Sequence, residues 1–221
     1  MTENTPKPTT PNKAKSIWPL YAVIGISLAP IVASWLVFNF VEFKPGTDTT
    51  NYGELLNPQV PMPATDLIAA KTLDGKPYDF NSIKRKFAYI VVSDSANCDL
   101  ICQERLFNLR QLRITTGKER ERLTLLWLIT EATVADTTKV PDPALLANHP
   151  DLTVLRVNAS NLAFLPIAAG QTLYGQIWIK DGVHNVMMRY PLGADPLKMR
   201  KDLSKVIYAS RGIQLKTQQG Q

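Results

Sequence analysis

The sequence predicts an α/β domain with a mixed β-sheet flanked by helices, preceded by one N-terminal transmembrane helix. Three observations support this fold class: a long apolar run near the N-terminus, short apolar runs that alternate with an amphipathic helical pattern, and a hairpin pattern followed by a closing helix. Elements in this order bury one sheet beneath helices, which is the arrangement of an α/β sandwich.

Length and composition limit the number of domains and the kinds of site. The chain has 221 residues, of which 45% are hydrophobic and 20% are charged, and this composition excludes wholesale disorder and a multi-span membrane protein. Without the termini and the apolar run, roughly 150 residues remain, which is about one domain. Two cysteines and two histidines exclude a disulfide-dense scaffold, and they exclude a closed zinc site unless all four converge.

The first apolar run predicts a membrane anchor. No charged residue occurs between Ser16 and Val41, and residues 17–40 would form a helix of about 36 Å, which exceeds the roughly 30 Å of a bilayer core. A cleaved signal peptide and a buried core helix are the alternatives. The run is longer than the apolar region of a signal peptide and no small-x-small cleavage pattern follows it, so a retained anchor is favoured.

Lysines are in excess on the N-terminal side of this run, where three precede it and one follows within twenty residues. This asymmetry predicts a cytoplasmic N-terminus and a single pass through the membrane, with the rest of the chain outside; if the source is a Gram-negative bacterium, the membrane is the bacterial inner membrane and the outside is the periplasm. An exported domain disfavours nucleic acid as a partner and places the cysteines in an oxidising compartment. The expected organisation is a cytoplasmic tail at 1–15, the anchor at 16–41, an extended stalk at 42–66, the folded domain at 67–212 and a disordered tail at 213–221.

Continuous apolar runs predict the central strands. Residues 87–92, 123–129 and 152–157 are too short for helices and rich in β-branched, aromatic and leucine side chains, as expected for strands that are covered on both faces. Between the first two strands, apolar residues recur at three- or four-residue spacing and predict a helix. These residues are Cys98, Cys102, Leu106, Leu109 and Leu112.

A hairpin and a last helix complete the pattern. Residues 176–180 lead through an Asp-Gly turn at 181–185 into residues 186–190, which is typical of a hairpin with a longer loop. Asp195 and Pro196 then provide an N-cap and a first-turn proline for the helix. The basic face of this helix is interpreted as a solvated surface, with contact to a partner or to lipid as the alternative. Its members are Lys198, Arg200, Lys201 and Lys205.

Cys98 and Cys102 are the candidate reactive residues. They follow the strand at 87–92, and four-residue spacing at a helix start places two sulfurs on one face, near enough to form a disulfide or to hold one soft ion. The helix N-terminus stabilises the thiolate. The negative charge of Asp99 destabilises the thiolate, and the positive charge of Arg105 offsets part of that effect. A moderately activated pair is therefore expected.

The alternatives for the cysteine pair are an inert disulfide and two buried free thiols. A disulfide between Cys98 and Cys102 would close a loop of only about five residues, which removes little entropy from the unfolded chain. The pair is therefore interpreted as a reactive or metal-binding dithiol rather than as a structural staple.

Four segments together resemble a known family: NYGELL at 51–56 after the anchor, LDGK at 73–76, the Cys98-x-x-x-Cys102 turn, and the Asp181 turn after QIWIK. They look like the Sco-like, thioredoxin-fold assembly factors of cytochrome c oxidase, over roughly residues 17–210. The resemblance implies a thioredoxin-like fold and a partner in the oxidase subunit that carries the dinuclear copper site. It also implies delivery of Cu(I) to that site, or reduction of the cysteines of that site before copper is inserted.

The sequence departs from this family at the third copper ligand. Family members that bind copper add a histidine before the first strand of the hairpin, and residues 170–174 contain none. His184 is expected in an exposed turn at the opposite end of the sheet from the dithiol, and His149 is expected at the surface. Asn97 and Gln103 replace the prolines that are common around the family's cysteines.

The expected function is a membrane-anchored assembly factor for cytochrome c oxidase that acts through the Cys98/Cys102 dithiol. Cys98 would attack a target disulfide and Cys102 would resolve the mixed disulfide, or both sulfurs would hold Cu(I). The missing histidine shifts the expectation from copper carriage towards thiol–disulfide reduction, and enzymatic activity stays open. The alternative is a non-catalytic interaction module with a structural or vestigial cysteine pair. A dehydrogenase or nucleotide-binding function is excluded because no glycine-rich strand-to-helix turn occurs.

Overall fold

A computed structural model of the chain describes residues 17–40, 51–130, 139–191 and 193–219. The chain divides into two compact units, Met1–Thr47 and Asp48–Gln221. The expected cytoplasmic tail at 1–15, the start of the expected stalk, and the last two residues of the chain lie outside the described residues.

The first unit contains the helix α1, Trp18–Phe40. Its side chains are exposed wherever the structure describes them. The segment Trp18–Val37 is long and apolar enough to cross a membrane, so the predicted N-terminal apolar helix is present.

The second unit contains a seven-stranded mixed sheet with the strand order β1-β7-β6-β3-β4-β5-β2. Strands β3, β4 and β5 are parallel, and the remaining neighbours pair in antiparallel fashion. The strands are β1 Glu54–Pro61, β2 Lys71–Thr72, β3 Phe87–Ser93, β4 Leu123–Ile129, β5 Leu152–Arg156, β6 Gln176–Lys180 and β7 Asn185–Pro191. The helices are α2 Thr65–Ile68, α3 Leu100–Thr115, α4 Pro143–Asn148 and α5 Pro196–Gln219. The predicted mixed sheet with flanking helices is confirmed.

The central strand β3 is covered on both faces. Its residues 87–92 are at most 2% exposed, and they alternate between two apolar clusters because successive side chains of a strand point to opposite faces. One face packs against residues that precede β3 in the chain, including Ile68 and Phe80. The other face packs under α3 and α5, including Leu109 and Leu203. This double burial accounts for the continuous apolar run in the sequence.

Part of the expected stalk is an edge strand of the sheet. Residues 54–61 form β1, which pairs with β7 in a register that places Glu54 opposite Arg189 and Val60 opposite Val186. The extended conformation that was expected is present, but it belongs to the sheet. The prolines of this segment are compatible with a strand because edge strands tolerate residues that cannot donate to the ladder.

The C-terminal helix is longer than expected. α5 continues to Gln219, so residues 213–219, which were expected to belong to a disordered tail, are helical. The hydrophobic periodicity that predicted this helix ends near Ile207, so it does not predict how far the helix continues.

A buried carboxylate holds the start of the second unit in place. Asp202 on α5 is fully buried, and its Oδ2 accepts hydrogen bonds from the amides of Tyr52 at 2.8 Å and Gly53 at 2.9 Å and from the Tyr190 hydroxyl at 2.9 Å. Three donors offset the desolvation of the carboxylate. A side chain at Gly53 would lie 2.6 Å from Met188 and from the Tyr190 ring, so this contact requires glycine.

A buried lysine lies at the hairpin end of the sheet. Lys180 is 0% exposed, and its Nζ donates to the carbonyl oxygens of Ile83 at 2.8 Å, Lys86 at 3.0 Å and Asp181 at 3.0 Å. Burial lowers the pKa of Lys180 to about 8, while the negative charge of Asp181 opposes this shift. The folded protein therefore loses this proton at a lower pH than the unfolded chain, in which a lysine has a pKa of about 10.4.

Stability should consequently rise with pH above the folded pKa of Lys180. Between about pH 8 and 10 the unfolded state binds more protons than the folded state, so the free energy of unfolding increases with pH. We expect a rise on the order of 1 kcal/mol from about pH 8 to 9.5, measured by urea denaturation of the oxidised chain in detergent. The rise should be absent in Lys180→Met and retained in Lys84→Met, a change at a neighbouring exposed lysine. A rise of equal size in both variants would contradict the assignment.

Candidate functional site

The end of β3 is fixed by hydrogen bonds from the neighbouring strand. The Ser93 Oγ accepts from the Trp127 indole at 2.8 Å and donates to the carbonyl of Ser95 at 2.9 Å. The amide of Thr130 donates to the Ser93 carbonyl at 2.9 Å. The loop that follows therefore leaves the sheet from a defined point and delivers Cys98 to the start of α3.

Asp99 caps the helix that follows. It is the N-cap residue of α3, and its carboxylate accepts a hydrogen bond from the amide of Cys102 at 2.8 Å, as short polar side chains do at helix starts. The Gln103 side chain donates to the Cys98 carbonyl at 3.0 Å. Sequence reasoning treated Asp99 as an opposing charge and missed this capping role, although an aspartate directly before an apolar helical pattern is a recognised N-cap pattern.

The structure brings Cys98 and Cys102 together in a disulfide. Their Cα atoms are 5.2 Å apart, within the usual range for such bonds. Cys98 precedes the cap and Cys102 lies in the first turn of α3. Both are half-buried and pack against an apolar cluster that includes Leu106 and Trp127. The expectation that the two sulfurs share one face is met.

Cys98 lines a solvent-facing cleft, which we call the Cys98 cleft. Its volume is about 450 Å³, comparable with pockets that hold small ligands or peptide side chains. Its other lining residues come from the loop before α3, from α3, and from the segment that leads into α4: Ala96, Asn97, Gln103, Lys139, Val140, Asp142 and Leu145. Cys102 is not among the lining residues, so the cleft gives access to the first cysteine of the pair.

Arg105 connects α3 to the loop before β6. Its guanidinium donates to the carbonyl of Tyr174 at 3.1 Å, and the Tyr174 hydroxyl lies 3.1 Å from the Thr130 hydroxyl. Burial lowers the pKa of Arg105, and the charge of Asp99 opposes this shift. Arg105 thus offsets part of the negative charge at the cap, and it holds Tyr174 beside the cysteine helix.

His184 lies at the opposite end of the sheet from the cysteines, as expected. β6 runs antiparallel to β3 with Lys180 opposite Ala88, so the hairpin turn lies beside the start of β3, whereas the cysteines follow its end. The ring is half-buried instead of fully exposed. Burial and the positive charges of Lys180 and Lys84 lower the pKa of His184, while Asp181 opposes the shift.

The expectation that His149 is a surface residue is wrong. His149 is 7% exposed, and its Nδ1 lies 2.9 Å from the carbonyl of Leu145. His149 is the C-cap residue of α4, and the turn at the helix end brings the ring back over that helix. Sequence reasoning missed this because α4 is too short to give a periodic pattern.

Within the described ranges, no group of three or more histidine, cysteine or acidic side chains is arranged to hold a metal ion. Among these residues, a soft ion at Cys98 and Cys102 would be held by the two sulfurs alone. Two thiolates are an acceptable set for Cu(I), whereas Cu(II) prefers nitrogen and oxygen ligands.

A family model described as "Transmembrane-like, thioredoxin-like, C-terminal domain" matches residues 89–210. No curated protein matches the chain. Yeast Sco1 with copper bound has 14% sequence identity and a TM-score of 0.50, and the match covers 63% of this chain and 89% of that one. Bradyrhizobium japonicum ScoI with copper bound has 18% identity and a TM-score of 0.45, with 62% and 95% covered. A secreted Mycobacterium tuberculosis disulfide oxidoreductase has 13% identity and a TM-score of 0.43, with 64% and 99% covered. At such identities the likeness concerns the fold.

The charge at the helix cap should control the reactivity of the reduced pair. Asp99→Asn keeps a capping oxygen and removes a negative charge next to Cys98, so the thiolate is stabilised. We expect the reduced variant to be alkylated about two- to fivefold faster at neutral pH, and the reduction potential to become less negative by about 10–30 mV. Alkylation kinetics and glutathione redox titration measure these changes.

Asp94→Asn is the matched control, because Asp94 is an exposed residue of the same loop and its removal changes the net charge equally. Its effect should be less than half as large. Equal effects of the two substitutions would show that overall charge, and not the cap position, controls the cysteines.

Proposed function

Since the chain belongs to the family of transmembrane-like, thioredoxin-like C-terminal domains, we propose that it is a membrane-anchored thiol–disulfide exchange protein of cytochrome c oxidase assembly. The observation that carries the proposal is the Cys98–Cys102 pair after the central strand, with Cys98 lining the cleft. The proposed client is the oxidase subunit whose dinuclear copper site contains cysteines. The resemblance of residues 51–56 and of the Cys98-x-x-x-Cys102 turn to the Sco-like proteins supports this client.

The reaction proceeds from the reduced protein. The Cys98 thiolate attacks one sulfur of the client disulfide, and the other client sulfur leaves as a thiolate. The Cys102 thiolate then attacks the Cys98 sulfur, which forms the intramolecular disulfide and releases the second client sulfur. Two electrons pass from the dithiol to the client, and an external dithiol donor reduces the pair again.

The surroundings of the pair suit this exchange. The Cys98 cleft admits an extended client segment, and the amides of Asn97 and Gln103 along it provide donors and acceptors for a peptide backbone. Cys102 is held 5.2 Å from Cys98 between Cα atoms, so the resolving step needs little movement. The hydrogen bonds at Ser93 keep the loop in position before the client arrives, which lowers the entropic cost of reaction.

The proposed location is the bacterial inner membrane. α1 would anchor the protein in a single pass, with a cytoplasmic N-terminus and the thioredoxin-like domain in the periplasm. The apolar length of Trp18–Val37 and the excess of lysines before it support this orientation.

Cu(I) carriage is the second candidate function, and the juxtaposed sulfurs favour it. In this case copper is cargo, held by the two thiolates of the reduced pair and passed to the client. Titration of the reduced chain against a Cu(I) chelator should then show one ion per chain, lost in Cys98→Ser/Cys102→Ser. If the reduced chain does not compete with the chelator, copper carriage is contradicted and thiol exchange is unaffected.

Trapping of the mixed disulfide tests the leading proposal. Cys102→Ser removes the resolving sulfur, so the Cys98–client disulfide should accumulate in cells and appear on non-reducing gels as a conjugate with the copper-site subunit. Cys98→Ser, the matched control, should give no conjugate because the attacking sulfur is absent. Both variants should lower the copper content of the oxidase.

The double variant Cys98→Ser/Cys102→Ser distinguishes chemistry from scaffolding. If it loads the oxidase with copper normally, and if Cys102→Ser traps no client, the cysteine pair is structural and the protein is a non-catalytic interaction module.

A further inference from the structure

Three lysines surround one exposed tyrosine on the second unit. The ammonium groups of Lys198, Lys201 and Lys205 lie 5.4, 6.0 and 5.9 Å from the centre of the Tyr52 ring. The ring is 51% exposed, so its outer part stays open to solvent. We call these four residues the lysine–tyrosine cluster.

The fold builds this cluster. The three lysines follow one another at three- and four-residue spacing and share one stripe of α5, and the opposite stripe, with Met199 and Leu203, is buried. The backbone of Tyr52 is tied to α5 by its hydrogen bond to Asp202. The ring is therefore held over the basic stripe by a contact in the domain interior.

The cluster brings three positively charged side chains together at the surface. Among the described residues, the carboxylate that pairs with the cluster is that of Asp202, which is fully buried, and its Oδ2 already accepts three hydrogen bonds. Its Oδ1 lies 3.8 Å from the Lys205 ammonium. The face of the tyrosine ring attracts cations, but three like charges around one ring repel each other. An anionic surface with many oxygen atoms would relieve this repulsion.

The chain length limits how far the cluster can lie from any bilayer that α1 spans. Twelve Cα–Cα steps separate Phe40, the last residue of α1, from Tyr52. A chain of this length reaches at most about 40 Å. Lysines within a Debye length of an anionic leaflet are attracted to it, and tyrosine rings favour the headgroup region.

We propose that the lysine–tyrosine cluster binds the anionic phospholipid surface of the membrane in which the protein is anchored. The lysines pair with headgroup phosphates and the Tyr52 ring enters the headgroup layer. The domain is thereby held against the bilayer by a second, salt-sensitive contact in addition to α1. This inference rests on the membrane anchoring that belongs to the proposed function.

Hydroxyl-radical footprinting of the full chain in lipid nanodiscs tests the proposal. Discs are made from phosphatidylcholine alone or from phosphatidylcholine with phosphatidylglycerol. We expect oxidation of Tyr52 to be about fivefold slower in the anionic discs. This protection should disappear in about 1 M salt, where screening is complete within a few ångströms. Tyr174, an exposed tyrosine beside the cysteine helix, is the internal reference and should react equally in both discs.

The variants separate a cluster effect from an effect of net charge. Lys198→Gln/Lys201→Gln/Lys205→Gln should lose the protection of Tyr52. Lys198→Gln/Lys201→Gln, which keeps the lysine next to Asp202, should lose most of it. The control removes three exposed lysines elsewhere on the domain, Lys71, Lys76 and Lys118, each replaced by Gln, and it should keep the protection.

Each contrary outcome overturns the proposal. Equal oxidation of Tyr52 in the two discs, or equal loss of protection in the control variant, excludes binding to anionic lipid. Protection in native membranes but not in pure lipid discs assigns the cluster to an acidic protein partner instead. A chain that does not enter the discs contradicts both this inference and the anchoring. A chain that enters, exchanges disulfides and shows no lipid dependence contradicts this inference alone.

Discussion

The burial of β3 on both faces is the constraint on which the rest of the structure depends. Side chains 87–92 are at most 2% exposed, and the backbone pairs with β4 on one side and β6 on the other. A one-residue shift of its register would exchange the side chains that pack into the two apolar clusters and so disrupt the packing on both faces. Its last residue, Ser93, is therefore a fixed point. The short loop from Ser93 to Asp99 starts at this fixed point and therefore holds Cys98 in a defined position.

Burial also decided which strands could be predicted from the sequence. Strand β4 has the predicted bounds because it is a continuous apolar run, and β6 has them because the Asp-Gly turn that follows it marks its end. β1 carries no such pattern. Most of its residues are exposed, it contains prolines, and its place in the sheet comes from pairing with β7. An edge strand of this kind is specified by its partner, so local sequence indicated only that it is extended.

Local spacing in the sequence was sufficient to predict the cysteine pair but not the contacts that connect distant parts of the chain. Four-residue spacing after a strand was sufficient to place Cys98 and Cys102 together, since both belong to one turn. The ring of His149 and the carboxylate of Asp202 were beyond such reasoning. Asp202 accepts hydrogen bonds from residues about 150 positions away in the chain, and in the sequence it is one acid in a basic helix. Contacts over such distances leave no periodic signal in either segment.

The cap of α3 bears on the direction of the proposed chemistry. In a helix that starts at a cysteine, the free amides and the dipole stabilise the thiolate and make the disulfide a strong oxidant. Here Asp99 is the N-cap residue, and its carboxylate accepts a hydrogen bond from the amide of Cys102. Its negative charge lies next to Cys98. A less stable thiolate makes the reduced pair a better electron donor. Arg105, which interacts with Asp99 and is held by Tyr174, limits this effect. The arrangement therefore suits a reductant of client disulfides better than an oxidant that introduces them.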